Sequence, residues 1–287
     1  MRTLFLIAAY LLQYTFISAQ SNNIISNGDF ENKRNNDNYD VYLLIGQSNM
    51  AATNKMKLLA SDTIDIIPGV WLLNDKDIPE PAKNPLNRYS SVTSNNGGLG
   101  LGASFGKKIS ARTGRKVLLV VNALGGTEIE QWAKDAPNIW RKGSKAYGKK
   151  QLYAEAVRRA KEGLKYGKLK GILWHQGEGN SVSYKVDKYP AQLTELVKNL
   201  RKDLNAPDVP FIAGELSYFR SGGTGSTKFN NMIRNIASFI PNSDWVSAEG
   251  LRTIEEDQTH FNRKSQLIFG ERYADKILKM AYNITEQ

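Results

Sequence analysis

Cysteine is absent from the 287 residues, and histidine occurs only twice. The first absence excludes a disulfide framework, a thiolate metal site, a cysteine nucleophile and a lipid-anchoring cysteine after a leader. The second narrows any imidazole base to His175 or His260. Long apolar runs are missing beyond the N-terminus. Leu4 to Ile17 is mostly apolar, but Gln13 interrupts it and it is short for a membrane span. Acidic residues are outnumbered, 28 against 39 Lys and Arg, for a net charge of +11. Much of that excess lies between Lys134 and Lys170, where only Asp135, Glu155 and Glu162 oppose twelve cations. Such a segment either solvates a helix face or attracts an acidic polymer. A nucleic-acid partner is not indicated, since neither a recognition-helix pattern nor an aromatic single-strand platform is present.

What is there begins with a leader. Arg2, the apolar stretch and Ser18-Ala19 have the pattern of a secretory signal peptide over residues 1–19, cleaved after Ala19. That implies a secreted or periplasmic bacterial protein with no membrane attachment once the leader is removed. Residues 20–40 are rich in Asn and Asp and read as a flexible arm or linker. Residues 41–287 then alternate apolar runs with helical patterns in a single compositional regime and without a fixed repeat. The economical fold is one α/β domain with a mostly parallel sheet.

The runs Val41–Ile45, Gly69–Leu73, Lys116–Leu124, Leu169–Trp174, Val209–Leu216 and Asp244–Ala248 are expected strands. Helices are expected over Asn49–Ala60, Leu101–Ala111, Leu152–Leu164, Ala191–Leu204, Phe229–Phe239 and Lys264–Tyr282. Residues 74–98, with three prolines and Gly97-Gly98, read as a long loop of the kind that shapes a site.

The chemistry-bearing residues follow strands, and in a parallel sheet those ends share one rim. Ser48 lies between Gln47 and Asn49, either as a helix cap or as a nucleophile. A serine nucleophile needs a base. His260 stands three residues after Asp257, a spacing that lets the carboxylate reach the imidazole Nδ1–H. His175, ending a buried strand, reads more simply as a structural histidine. Gly125-Gly126 is either a plain turn or a place where backbone N–H groups approach a substrate. The Ser48 N–H is a second donor for an oxyanion, and the side chain of Gln176 or Asn180 a third. Glu178, on the same rim, is an alternative support for the histidine.

Together, Gly46-Gln-Ser-Asn-Met50, Gly125-Gly-Thr-Glu-Ile129, Trp174-His-Gln-Gly-Glu178 and Asp257-Gln-Thr-His260 resemble the SGNH (GDSL-like) hydrolases. Within these they are similar to the branch of sialate O-acetylesterases and family 6 carbohydrate acetylesterases, which includes acetylxylan esterases. The resemblance implies a three-layer flavodoxin-like fold, no metal and no cofactor, with Ser48 as nucleophile, His260 as base and Asp257 as its orienting acid. It also implies an oxyanion hole from the Ser48 and Gly126 amides and the Gln176 side chain, with Gly125 and Asn180 as alternatives. Met50 stands where a Gly-x-Ser-x-Gly elbow would have its second glycine, which separates the chain from ordinary α/β-hydrolases. The function expected is removal of O-acetyl groups from a carbohydrate, with acetylated xylan-type polysaccharide favoured. Sialate O-acetylesterase and a non-catalytic carbohydrate-binding protein on the same scaffold are the alternatives. Trp132, Tyr218 and Phe219 are candidate sugar-stacking surfaces.

Overall fold

The computed structural model describes residues 39–52, 55–92, 97–136, 151–220 and 225–285. The leader, most of the expected arm and part of the basic segment (137–150) therefore lie outside the described residues.

Apolar residues without interruption specify the sheet. β1 (Tyr39–Gly46), β4 (Val117–Val121) and β5 (Gly167–His175) pair in parallel, with β1 in the middle. β2 (Val70–Leu73) and β3 (Pro79–Pro81) extend one side, and β6 (Phe211–Gly214) and β7 (Ser243–Val246) the other. The order is β3-β2-β4-β1-β5-β6-β7, and only β3 runs antiparallel. β1 buries all eight of its residues because both faces are covered. Val41, Leu43 and Ile45 point to one layer, Tyr42 and Leu44 to the other. The winding changes side between β4 and β5, on either flank of β1, so the carboxyl end of β1 is where a crevice is expected.

The helices, in chain order, are α1 (Ser48–Ala51), α2 (Ala60–Ile64), α3 (Gly102–Thr113), α4 (Leu152–Leu164), α5 (Ser183–Val186), α6 (Tyr189–Asp203), α7 (Thr227–Arg234) and α8 (Arg263–Tyr282). Leu152, Ala156 and Ala160 of α4 pack with Leu193, Val197 and Leu200 of α6 and Phe229 and Ile233 of α7 on the Val41 face. Phe105 and Ile109 of α3 pack with Phe269, Tyr273 and Ile277 of α8 on the Tyr42 face. This is the three-layer α/β architecture anticipated from the sequence. Among the described residues no helix is long and apolar enough to cross a membrane.

Three expectations need correction. Tyr39 and Asp40, placed in the arm, begin β1; Tyr39 is buried, its N–H donating to Tyr166 O at 3.1 Å. The helix expected over Asn49–Ala60 is a single turn, because Ala52 adopts a left-handed conformation (φ 55°) and returns its N–H to Ser48 O. The 74–98 loop contains β3, where Pro79 and Pro81 occupy a sheet edge that needs no further N–H donors.

Candidate active site

The ends of β1 and β5 meet more closely than side chains allow. At Gly46 (φ 137°) an added Cβ would lie 2.2 Å from the His175 carbonyl oxygen, so only glycine fits. Gln47 N–H then donates to that same oxygen at 2.8 Å, and Ser48 opens α1 beside it. As a first-turn N–H, that of Ser48 has no acceptor inside its helix.

Beyond β7 the chain closes a loop on itself. Ile254 N–H donates to His260 O at 2.8 Å, Thr253 bridges Phe261, and Gln258 turns the chain with φ 53°. Asp257 Oδ1 accepts the N–H groups of Thr259 (3.0 Å) and His260 (2.9 Å), the local side-chain-to-backbone pattern that makes Asp a turn residue. That turn leaves Asp257 Oδ2 at 2.6 Å from His260 Nδ1. On the far side of the ring, His260 Nε2 lies 2.9 Å from Ser48 Oγ. With Nδ1–H aimed at the carboxylate, Nε2 presents a lone pair to the serine hydroxyl.

Lys55 Nζ adds a contact of 2.8 Å to Asp257 Oδ2. Burial alone pushes the Asp257 carboxyl up. The backbone N–H of His260, the Lys55 ammonium, the imidazole and the Thr259 N–H outweigh it and hold the group well below the usual carboxylate range. An ionised carboxylate therefore faces the ring.

The other histidine is placed differently. His175 has no solvent exposure, its Nδ1 lies 3.3 Å from the Tyr273 hydroxyl, and its ring packs edge-on against Phe261 and Phe269. Burial lowers its pKa, against the opposing pull of Glu178. Glu178 Oε1 accepts from Asn49 Nδ2 at 2.7 Å and stands 3.8 Å from His175 Nε2. Among the described residues Asp257, and not Glu178, is hydrogen-bonded to the His260 ring.

The glycine pair adjoins the same rim. Leu124 N–H donates to Gly46 O at 3.0 Å, and the chain turns at exposed Gly126 with φ 68°. The amide side chains expected beside it point elsewhere. Gln176 Nε2 donates to Thr127 O (2.9 Å) and Asn180 Oδ1 (2.8 Å), and Gln176 Oε1 accepts from the Tyr189 hydroxyl (2.8 Å). Both Nε2 protons are committed, so no N–H of Gln176 remains for an oxyanion. Asn180 is fully buried, accepting from Ile129 N–H at 3.0 Å and donating to Glu130 at 3.0 Å. The two amides staple residues 127–129 from beneath. Trp132 is likewise no stacking surface: it is fully buried edge-on to Trp174, its indole N–H donating to Thr127 Oγ1. Tyr218 and Phe219 stay partly exposed, and the Arg252 guanidinium lies over the Phe219 ring.

Two contributors escaped the sequence reading. Asn49 was visible beside Ser48 but carried no spacing signal for its partners, which are 210 and 212 residues away. Lys55, distant in sequence from Asp257, gave no signal. Among the described residues no group of three or more His, Asp or Glu side chains is arranged to hold a metal ion.

Residues 38–279 match the profile of the family described as carbohydrate esterase, sialic acid-specific acetylesterase. A probable carbohydrate esterase of Arabidopsis thaliana is 31% identical over 178 residues, which cover 60% of this chain and 61% of that relative. The match thus spans about three fifths of the relative's length. A solved structure of an Arabidopsis thaliana protein superposes with a TM-score of 0.69 at 26% identity, over 85% of this chain and 99% of the other. NanS (TM-score 0.66, 16% identity, 85% and 98% covered) shares the fold. So does a carbohydrate acetylesterase from Xanthomonas citri (0.62, 20%, 86% and 57%). With the profile running from the first strand almost to the end of the last helix, the chain belongs to the carbohydrate esterase, sialic acid-specific acetylesterase family, whose reaction class is carboxylic ester hydrolysis.

Proposed function

We propose that this chain is a secreted serine esterase that removes O-acetyl groups from a carbohydrate through an acetyl-enzyme intermediate. The observation that carries this reading is the line Ser48 Oγ, His260 Nε2 at 2.9 Å, and His260 Nδ1 to Asp257 Oδ2 at 2.6 Å. Export is supported by the leader-like composition of residues 1–19.

In this mechanism His260 Nε2 takes the Ser48 proton as Oγ bonds the acetyl carbonyl carbon, and Asp257 steadies the resulting imidazolium. The backbone N–H groups of Ser48 and Gly126 receive the oxyanion. Gln176 and Asn180 contribute by fixing the backbone just after Gly126. As the tetrahedral intermediate collapses, the C–O bond to the sugar breaks and the imidazolium protonates the departing oxygen. Water, deprotonated by the same ring, then attacks the acetyl carbon and releases acetate from Ser48.

Acetylated xylan-type polysaccharide and O-acetylated sialic acid are the two substrate classes within this reading. One feature favours a sugar that carries a carboxylate. The half-buried Arg220 guanidinium donates to Ser181 Oγ (2.6 Å) and to Glu178 O (3.0 Å), and among the described residues no acidic side chain pairs with it. A cation with only neutral partners, one residue from Asn49 through Glu178, suits an acidic glycan. The test is acetate release from acetylated glucuronoxylan, O-acetylated sialic acid, neutral acetylated xylo-oligosaccharide and a short-to-long acyl ester series. Acetyl esters are expected to be preferred, with Ser48→Ala losing about 10⁶-fold in kcat. Arg220→Ala is expected to raise KM for the acidic substrates only. Full activity in Ser48→Ala would remove the mechanism, and preference for long acyl chains would remove the acetyl assignment.

A further inference from the structure

Ser48 and His260 are 212 residues apart, yet their reacting atoms stand at 2.9 Å. The Asp257 turn sets the ring's tilt within its own loop but cannot set that loop's distance from α1. Asn49 spans this gap. It is fully buried, and its side chain reads both backbone groups that flank the histidine. Oδ1 accepts the N–H of Phe261 at 3.0 Å, and Nδ2 donates to the carbonyl of Thr259 at 3.2 Å. The second Nδ2 proton goes to Glu178 Oε1 at 2.7 Å. Oδ1 also lies 3.4 Å from Gln266 Nε2 of α8, which donates to the Asn49 carbonyl at 3.2 Å. Two donors and two acceptor sites are all in use, so the amide has a single satisfied orientation.

From this geometry we infer that Asn49, held by Glu178, is a positioning residue: it fixes the His260 backbone to the residue next to Ser48 and thereby sets the nucleophile–base distance. The inference rests on the serine-esterase reading above. It also gives Glu178 a role different from direct contact with the imidazole. Its buried carboxylate fixes the rotation of the Asn49 amide, one step removed from the base. Holding a base within about 1 Å of its productive place decides on the order of 10²-fold in rate, without altering where the substrate binds.

Asn49→Asp is the informative variant. It keeps the size and the acceptor for Phe261 N–H, but presents an oxygen to the Thr259 carbonyl and to Glu178. Expected is a fall of about 10²-fold in kcat for an acetyl ester, with KM unchanged. Glu178→Gln retains an acceptor at Oε1 and is expected to keep much more activity than Glu178→Ala. The structural control is Asn230→Ala. Asn230 is another buried amide that makes a two-point clamp, on Leu216 N–H (2.8 Å) and O (3.0 Å), and among the described residues its side chain makes no hydrogen bond of its own to the histidine loop. It is expected to lower Tm while leaving kcat per folded molecule near wild type. If Asn49→Asp keeps wild-type kcat while Ser48→Ala is inactive, the positioning role is wrong and the esterase reading survives. The positioning role also fails if Asn49→Asp raises KM with kcat intact. If Ser48→Ala itself remains fully active, both fall.

Discussion

The two histidine neighbourhoods stand on the same rim and differ in almost everything that matters for catalysis. Around His175 the ring is sealed by Phe261 and Phe269, has the Tyr273 hydroxyl at 3.3 Å, and is kept neutral by burial. Around His260 the ring keeps 17% of its side-chain surface exposed and has an ionised carboxylate at 2.6 Å on one nitrogen and a serine hydroxyl at 2.9 Å on the other. A place beyond a strand is therefore not enough to make an imidazole a base. It needs access to a proton donor on one side and a fixed anion on the other. His175 instead helps hold the end of β5, and its carbonyl anchors Gln47.

The widest separation between the two is expected on truncation. His260→Ala should lower kcat by about 10⁶-fold with little change in unfolding midpoint. His175→Ala should do the reverse, destabilising the fold by about 2–5 kcal/mol in urea unfolding while the folded fraction turns over normally. Equal losses of kcat in the two variants would erase the distinction.

Asp257→Asn comes next, at about 10⁴-fold in kcat, because the neutral amide no longer selects the Nδ1–H tautomer. The direction of the Asp257 shift also has a sign that can be checked. A carboxyl whose folded pKa lies below its unfolded value stabilises the fold fully above the unfolded value, and that contribution is lost progressively as pH falls from there through the folded value. Asp257 thus remains ionised where an imidazole titrates. The acid limb of log kcat/KM should then have a slope of about 1, from a single proton. A slope of about 2 would show that the Asp257 carboxylate also takes up a proton in that range.

Gly46→Ala bears on the joint between the two regions. A methyl at a position with φ 137° and 2.2 Å from the His175 carbonyl must force β1 and β5 apart. A loss of about 3 kcal/mol or more is expected, with the remaining folded protein less active, because the displacement reaches Ser48. The smallest effect belongs to Lys55→Gln. Lys55 is largely exposed, so its ion pair with Asp257 is screened, and a change of only a few-fold in kcat/KM, diminishing with added salt, is expected.

The fold was legible wherever burial is two-sided. The uninterrupted apolar runs of β1 and β4 and the four-residue apolar spacing of α4 allow few other structures, and α4 runs from Leu152 to Leu164 as its pattern implied. The Asp257–His260 contact was legible because it is local, made within one turn. Long-range side-chain orientation was not. Gln176 has the chemistry of an oxyanion donor, but its amide is claimed by the nearby Asn180 together with Thr127 and Tyr189, which lie on other segments that no spacing connects to it. Trp132 looks like a sugar platform by residue type and is core because Trp174 packs against it. The same reason hid β3, whose prolines read as loop until an edge position accommodates them.

The proposed reaction runs through a covalent acetyl-enzyme on Ser48. Its most direct measurement is acid quenching during turnover of an activated acetyl ester, followed by mass spectrometry of the peptide that contains Ser48. One acetyl group on Ser48 is expected, forming in a burst before steady-state turnover and absent from Ser48→Ala. An unmodified Ser48 peptide, or acetyl carried by another residue while hydrolysis proceeds, would contradict it.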